Sequence, residues 1–213
     1  MSEYTIGHLI QRKHSELLED FNPLFTGHLN EDWTLFFMKD TSFDTRIPLS
    51  VYDISNTVPV LHFDHEEDHG WSYDILSDGI SKAHFDYNYE LEEMSLYQMA
   101  LEQYPEEDPV ELLYTNPNFE GVRSQLLTEL HQNPAYQEQL DNLFKNCHVE
   151  QFGLFEVSPA QIEQLKQIMT QEHVDQLDFM HDLVDQFKQI LNLQKMSWIS
   201  PDRLEDDEFD VEL

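Results

Sequence analysis

Within eight residues, His62-Phe63-Asp64-His65-Glu66-Glu67-Asp68-His69, the chain carries three imidazoles and four carboxylates. Nitrogen and oxygen donors of this kind suit zinc, manganese or iron. His62, His65 and His69 are therefore the candidate metal ligands. Their spacing matches no metal signature, and a loop this acidic is ordinarily just solvated, so neither a resident metal nor a cofactor is expected. His84 and Asp86 come into reach if residues 71–76 and 80–87 form a hairpin. Neighbouring carboxylates favour charged histidine, so the run also suits a pH-responsive element.

A second cluster comprises His173, Asp178, His181, Asp182 and Asp185. Asp178 and His181 are three apart, His181 and Asp185 four, so on a helix each pair shares a face. Such pairs hold two metals in helical bundles when other helices supply matching ones. Here the neighbouring segments offer Glu129 and His131 but no repeated Glu-x-x-His, and a hydrated helix face is the simpler reading. Cys147 adjoins His148, but adjacent residues do not face each other on a helix, which argues against a dyad. As the single cysteine, it also excludes an internal disulfide and a cysteine-based zinc site. The six glycines form no phosphate-cradling loop, and no G-x-S-x-G elbow occurs. No enzymatic activity is expected.

Charge is the strongest compositional signal. The chain has 43 acidic and 11 basic residues, a formal net charge of −32. Residues 61–120 hold 16 acids against one base, Lys82. Such a surface repels phosphate and anionic lipid, and attracts cationic proteins. Spread over roughly 10,000 Å² of surface, the charge averages about a third of the density of duplex DNA. A DNA mimic therefore needs its carboxylates gathered on one face; solubility alone needs no such gathering.

The elements that must position these groups follow from periodicity. Ile6, Leu9, Ile10, Leu17 and Leu18 recur at helical spacing, predicting an N-terminal helix over 2–20 that ends at Asn22-Pro23. Residues 33–87 read as an antiparallel sheet of about five strands: 33–38, 50–54, 58–63, 71–76 and 80–87. Ser77-Asp78-Gly79 supplies a tight turn between the last two. Alternation puts Trp71, Tyr73, Ile75 and Ala83, Phe85, Tyr87 on the core, with Asp74, Lys82, His84 and Asp86 turned to water. The period then changes. Residues 91–104 read as a helix burying Leu91, Met94, Leu96 or Tyr97, and Leu101. Short helices follow over 109–114, 118–132 and 135–146, and 152–157 suggests a small strand. Ser158-Pro159-Ala160-Gln161 is a capping box opening one long helix over 158–193. Leu177, Val184 and Leu191 form a heptad seam with Met180 and Phe187, which fails upstream at Thr170 and His173; packing on its own domain is favoured over a coiled-coil dimer.

The expected fold class is thus α+β in one domain over 1–200, β-rich to residue 90 and α-rich beyond, with 201–213 as an acidic flexible tail. The single cysteine, the polar N-terminus and the lack of a long apolar run point to a cytoplasmic protein without a membrane span. The expected function is an acidic inhibitory binding protein of the immunity, antitoxin or DNA-mimic type. It would neutralise a basic partner such as a nuclease or other nucleic-acid-binding protein, without touching nucleic acid directly, as a monomer or weak dimer. The candidate partner-binding residues are Asp64, Glu66, Glu67, Asp68, Trp71, Asp74, Asp86, Tyr89, Glu90, Glu92, Glu93, Glu106, Glu107 and Asp108. Two alternatives are a metal-binding protein or metal-dependent enzyme using the 62–69 loop, and a helical adaptor that assembles through its C-terminal helix.

Overall fold

Where the sequence predicts an N-terminal helix, the computed structural model, which describes residues 3–40, 47–119 and 121–204, has strand β1, Tyr4–Gln11. A strand buried on both faces carries apolar residues without period-two alternation. Six consecutive residues of β1, Thr5 to Ile10, are buried, so Ile6, Leu9 and Ile10 mimic a helical stripe. Only Arg12–Phe21 is helical, as a 3-10 segment, and it stops at Asn22, whose left-handed backbone returns its N–H to the Glu19 carbonyl.

Five further strands follow: β2 (Phe25–His28), β3 (Trp33–Phe37), β4 (Val60–Glu66), β5 (Gly70–Ser77) and β6 (Ile80–Asn88). The sheet has six strands in the order β2-β3-β1-β4-β5-β6, every pair antiparallel. The segment expected as strand 50–54 is instead helix α1, Leu49–Ser55, which buries Val51, Ile54 and Ser55. Between β5 and β6, Asp78 and Gly79 both have positive φ, 56° and 73°. That is the pattern of the two-residue turns whose twist matches the flanking strands.

The two sheet faces differ. On one, Leu35, Leu61, Phe63, Trp71, Tyr73, Ile75 and Phe85 meet Phe152, Leu165, Leu183, Val184, Phe187 and Met196 from the C-terminal third. Phe187 sits at the centre, stacked on Tyr73 at 5.2 Å and tilted against Trp71 at 4.8 Å between ring centroids. Burying each such ring contributes about 1.5–3 kcal/mol. On the other face, Ile10, Phe36, Met38, Val60 and Leu76 are covered by Leu18, Val51, Ile54 and Val58.

The helical remainder comprises α2 (Leu91–Gln103), a π-helical turn at Glu111–Thr115, α3 (Val122–His131) and α4 (Pro134–Leu143). Their own core joins Leu96, Ala100, Leu112, Leu113, Leu126, Leu130 and Tyr136. Of the pair Leu96 or Tyr97 it is Leu96 that is buried, while Met94 and Leu101, expected inside, are exposed. The small strand expected at 152–157 is a 3-10 segment, Val149–Phe155.

The single long helix does not form. α5 (Pro159–Ile168) begins with the predicted capping box, then ends, and Thr170 caps the short α6 (Gln171–Val174). α7 (Asp182–Ile190) follows after a turn. The first break falls at Thr170, where the heptad seam fails, and the second, between Val174 and Asp182, spans Leu177 and Met180 of the seam itself. Breaking there lets both α5 and α7 bury apolar faces on one sheet, which a rod cannot do. Val184, Phe187 and Leu191 are spent on this internal core, and Met180 is half exposed. The acidic segment 205–213 lies outside the described residues. Among the described residues no helix is long and apolar enough to cross a membrane.

Candidate partner-binding face

Residues paired across an antiparallel sheet present side chains to the same face. The register therefore assembles three rows on the side of the sheet away from Phe187. One runs His8, His62, Asp74, His84; the next Ile6, Asp64, Ser72, Asp86; the third Tyr4, Glu66, Gly70, Asn88. None of these rows contains lysine or arginine. Asp64, Glu66, His69, Ser72, Asp86 and Asn88 share a shallow concavity of about 220 Å³. Asp64 and Glu66 sit two residues apart on one strand, about 7 Å, and Asp86 lies two strands across from Asp64, about 10 Å. These separations are within about one Debye length at physiological salt, so an approaching cation meets their joint field. The Tyr4 phenol is held protonated, its pKa raised by burial and then by Asp64, Glu66 and Asp202. The segment at Pro201–Arg203 thus adds a carboxylate beside the face.

The other candidates fall into separate groups. Trp71 points to the opposite side and is buried against Phe85 and Phe187, so it packs the core rather than standing as a surface anchor. Asp74, expected in water, is buried; it accepts from His84 Nδ1 at 3.1 Å and from Ser81 Oγ at 3.3 Å. Glu67 accepts the Glu3 backbone N–H at 2.8 Å. Asp68 stays exposed in the β4–β5 turn. Glu90 meets His69 Nδ1 at 2.8 Å, and this contact raises the His69 pKa. Glu92 accepts from His131 Nε2 at 2.7 Å, and Glu93 pairs with Arg123 and the Tyr114 hydroxyl. Asp108 accepts the Val110 and Glu111 amides at 2.8 and 3.1 Å and so caps the turn that follows, while Glu106 and Glu107 are exposed beside it. Tyr89 is half-buried edge-on to Tyr87 and His181.

The three imidazoles of the 62–69 run do not converge. His62 is buried toward His8, His65 lies under the opposite face, and His69 is out in the turn. Alternation along a strand already puts positions 62 and 65 on opposite sides. Among the described residues no three His, Cys, Asp or Glu side chains come together to hold a metal ion.

Sequence reasoning missed a buried polar cluster on the Phe187 side. Lys188 Nζ lies 3.4 Å from His65 Nδ1, 3.9 Å from Glu3 Oε1 and 5.5 Å from the Phe63 ring centroid. Burial lowers the Lys188 pKa against the pull of Glu3 and Asp185. Burial, then Lys188, holds His65 down to about 4. Burial opposes ionisation of Glu3, but Lys188 and the Thr5 and Ser197 hydroxyls outweigh it and lower its pKa. A lysine within a helical pattern reads as exposed, and only the packing of α7 encloses it.

Comparison with protein-family models, with curated proteins and with solved structures finds no match for this chain.

Proposed function

We propose that the protein is an acidic inhibitory binding protein that docks its β4–β6 face onto the cationic groove of a basic, nucleic-acid-processing partner. The observation that carries this reading is the set Asp64, Glu66 and Asp86, brought by the strand register to one side of the sheet around a shared concavity. Lysine and arginine that bind phosphate respond to such carboxylates by charge, and complementary fields speed encounter. Glu90 and Glu92, beside and on the first turn of α2, add carboxylates along the neighbouring helix.

The test compares two variants of equal charge change. Asp64→Asn/Glu66→Gln/Asp86→Asn alters the face. Glu16→Gln/Glu19→Gln/Asp20→Asn alters exposed positions on the 3-10 segment. Capture of a cationic protein from native extracts at low salt is expected to fall tenfold or more for the first variant and to persist for the second. Equal behaviour of the two would reduce the acidity to a role in solubility.

A further inference from the structure

Helix α2 is apolar on two sides. Leu96 and Ala100 are fully buried in the helical core. Met94, Tyr97 and Leu101, spaced by three and then four residues, form a second line on another side. They are 59 %, 42 % and 40 % exposed, so this line is open to water. It runs about 10 Å along the helix axis, close to two turns. Tyr114, itself exposed, adds a further ring beside it, because its hydroxyl donates to Glu93, one turn before Tyr97. A surface helix ordinarily has one apolar stripe, turned to the core. Contiguous exposed apolar side chains with a polar rim mark an interaction site.

Here the rim is acidic. The sequence has no lysine or arginine between Lys82 and Arg123. Arg123 is already committed: it pairs with Glu93 and lies 5.6 Å from the Tyr114 ring centroid. Glu102 adjoins Leu101, Glu106 and Glu107 follow the end of α2, and Glu111 opens the turn that carries Tyr114. All four are exposed, and none has a cationic partner among the described residues.

Apolar line and acidic rim together select the occupant. A second copy of the chain brings the same carboxylates and a net charge of −32, and is repelled. Anionic lipid is repelled likewise. A neutral apolar helix leaves the rim unmatched. A helix with an apolar line flanked by lysine or arginine matches both parts. Its apolar side chains pack along Met94, Tyr97 and Leu101, and its cations meet the free glutamates. We propose that the outer side of α2 docks a cationic amphipathic helix of a partner protein. This surface is separate from the β4–β6 face, and the proposal does not rest on that reading.

The test titrates the full chain, by calorimetry at physiological salt, with a leucine–lysine peptide of about three or four helical turns whose leucines share one face. Saturable one-to-one binding with a gain of helix by circular dichroism is expected. A shuffled peptide of the same composition, without an apolar face, should bind at least tenfold more weakly. Tyr97→Gln/Leu101→Gln should weaken the patterned peptide tenfold or more, and Met94→Gln, a single change at a more exposed position, should weaken it in the same direction. Leu49→Gln/Ile80→Gln, at exposed apolar positions elsewhere, should leave it intact. So should Asp64→Asn/Glu66→Gln/Asp86→Asn, so the two readings fail separately. Absence of saturable binding, equal binding of the shuffled peptide, or indifference to the α2 variants would overturn the proposal. A wild-type dimer in sedimentation that Tyr97→Gln/Leu101→Gln dissociates would also overturn it, by giving the line to a second copy.

Discussion

The Nδ1 atoms of His8 and His62 lie 3.2 Å apart across the β1–β4 pairing, with both rings fully buried. One ring donates and the other accepts, so the contact needs an unprotonated acceptor nitrogen. Burial lowers the His8 pKa to about 3, with Asp40 acting weakly the other way. His65 is held at about 4 on the opposite face.

Acid sensitivity follows from these two histidines. Their folded pKa values lie below the unfolded value of about 6.5, so the unfolded state takes up protons first as pH falls. Stability is full above about pH 6.5 and is lost on descent toward pH 4 for His65 and pH 3 for His8. Each should cost about 1 kcal/mol between pH 6.5 and 5.5, a window in which ordinary carboxylates remain ionised. Urea midpoints across that window should fall, and His8→Gln should flatten the slope.

Lys188→Met keeps the volume of the side chain and removes its charge. Removing one partner of a buried ion pair leaves the other charge uncompensated, here that of Glu3. Glu3 keeps its bonds from Thr5 Oγ1 at 2.9 Å and from the Trp198 amide at 3.3 Å. Stability should fall by about 3 kcal/mol, and Lys188→Ala, which also leaves a cavity, should lose more. The NMR titration of His65 should move upward in Lys188→Met, because one of the charges that depress it is gone.

Gly70 opens β5 with φ of 148°, and a Cβ there would sit 2.2 Å from the Tyr87 carbonyl oxygen. Neither the backbone nor the neighbour accommodates a side chain. Gly70→Ala should destabilise by on the order of 3 kcal/mol. The same change should disturb the Tyr89 resonances, since the adjoining Tyr89 amide is bonded to His69 O at 2.9 Å.

Val184→Asp separates internal packing from assembly. Val184 is fully buried among the residues that cover the sheet. An aspartate there should unfold the chain, lowering stability by about 4 kcal/mol or more. Circular dichroism together with light scattering should show loss of the fold itself. Dissociation of an oligomer with the fold retained would restore the adaptor reading.

Much of the fold was legible in the sequence, and its failures have physical causes. Strands β3 to β6, their turn at Asp78-Gly79, helices α2 to α4 and the Ser158 capping box are all encoded by short-range patterns. β1 was misread because burial on both faces erases alternation. α1 was misread because Val51 and Ile54 suit either a short strand or one helical turn. The long helix was overextended because a capped start and a two-repeat seam say nothing about competing contacts. The opposite placement of His62 and His65 was present in their odd spacing, whereas the burial of Trp71, Asp74 and Lys188 was not.

Composition and local pattern alone determined an acidic α+β chain with its carboxylates densest over residues 61–120, because charge counts, turn chemistry and caps act over a few residues. Tertiary structure alone decided that Asp64, Glu66 and Asp86 share one face. It also decided that Lys188 is enclosed beside His65. Each of these depends on strand register and on where the broken C-terminal helices pack. Those are set by the competition of distant apolar surfaces for the same sheet, which no short stretch of sequence contains.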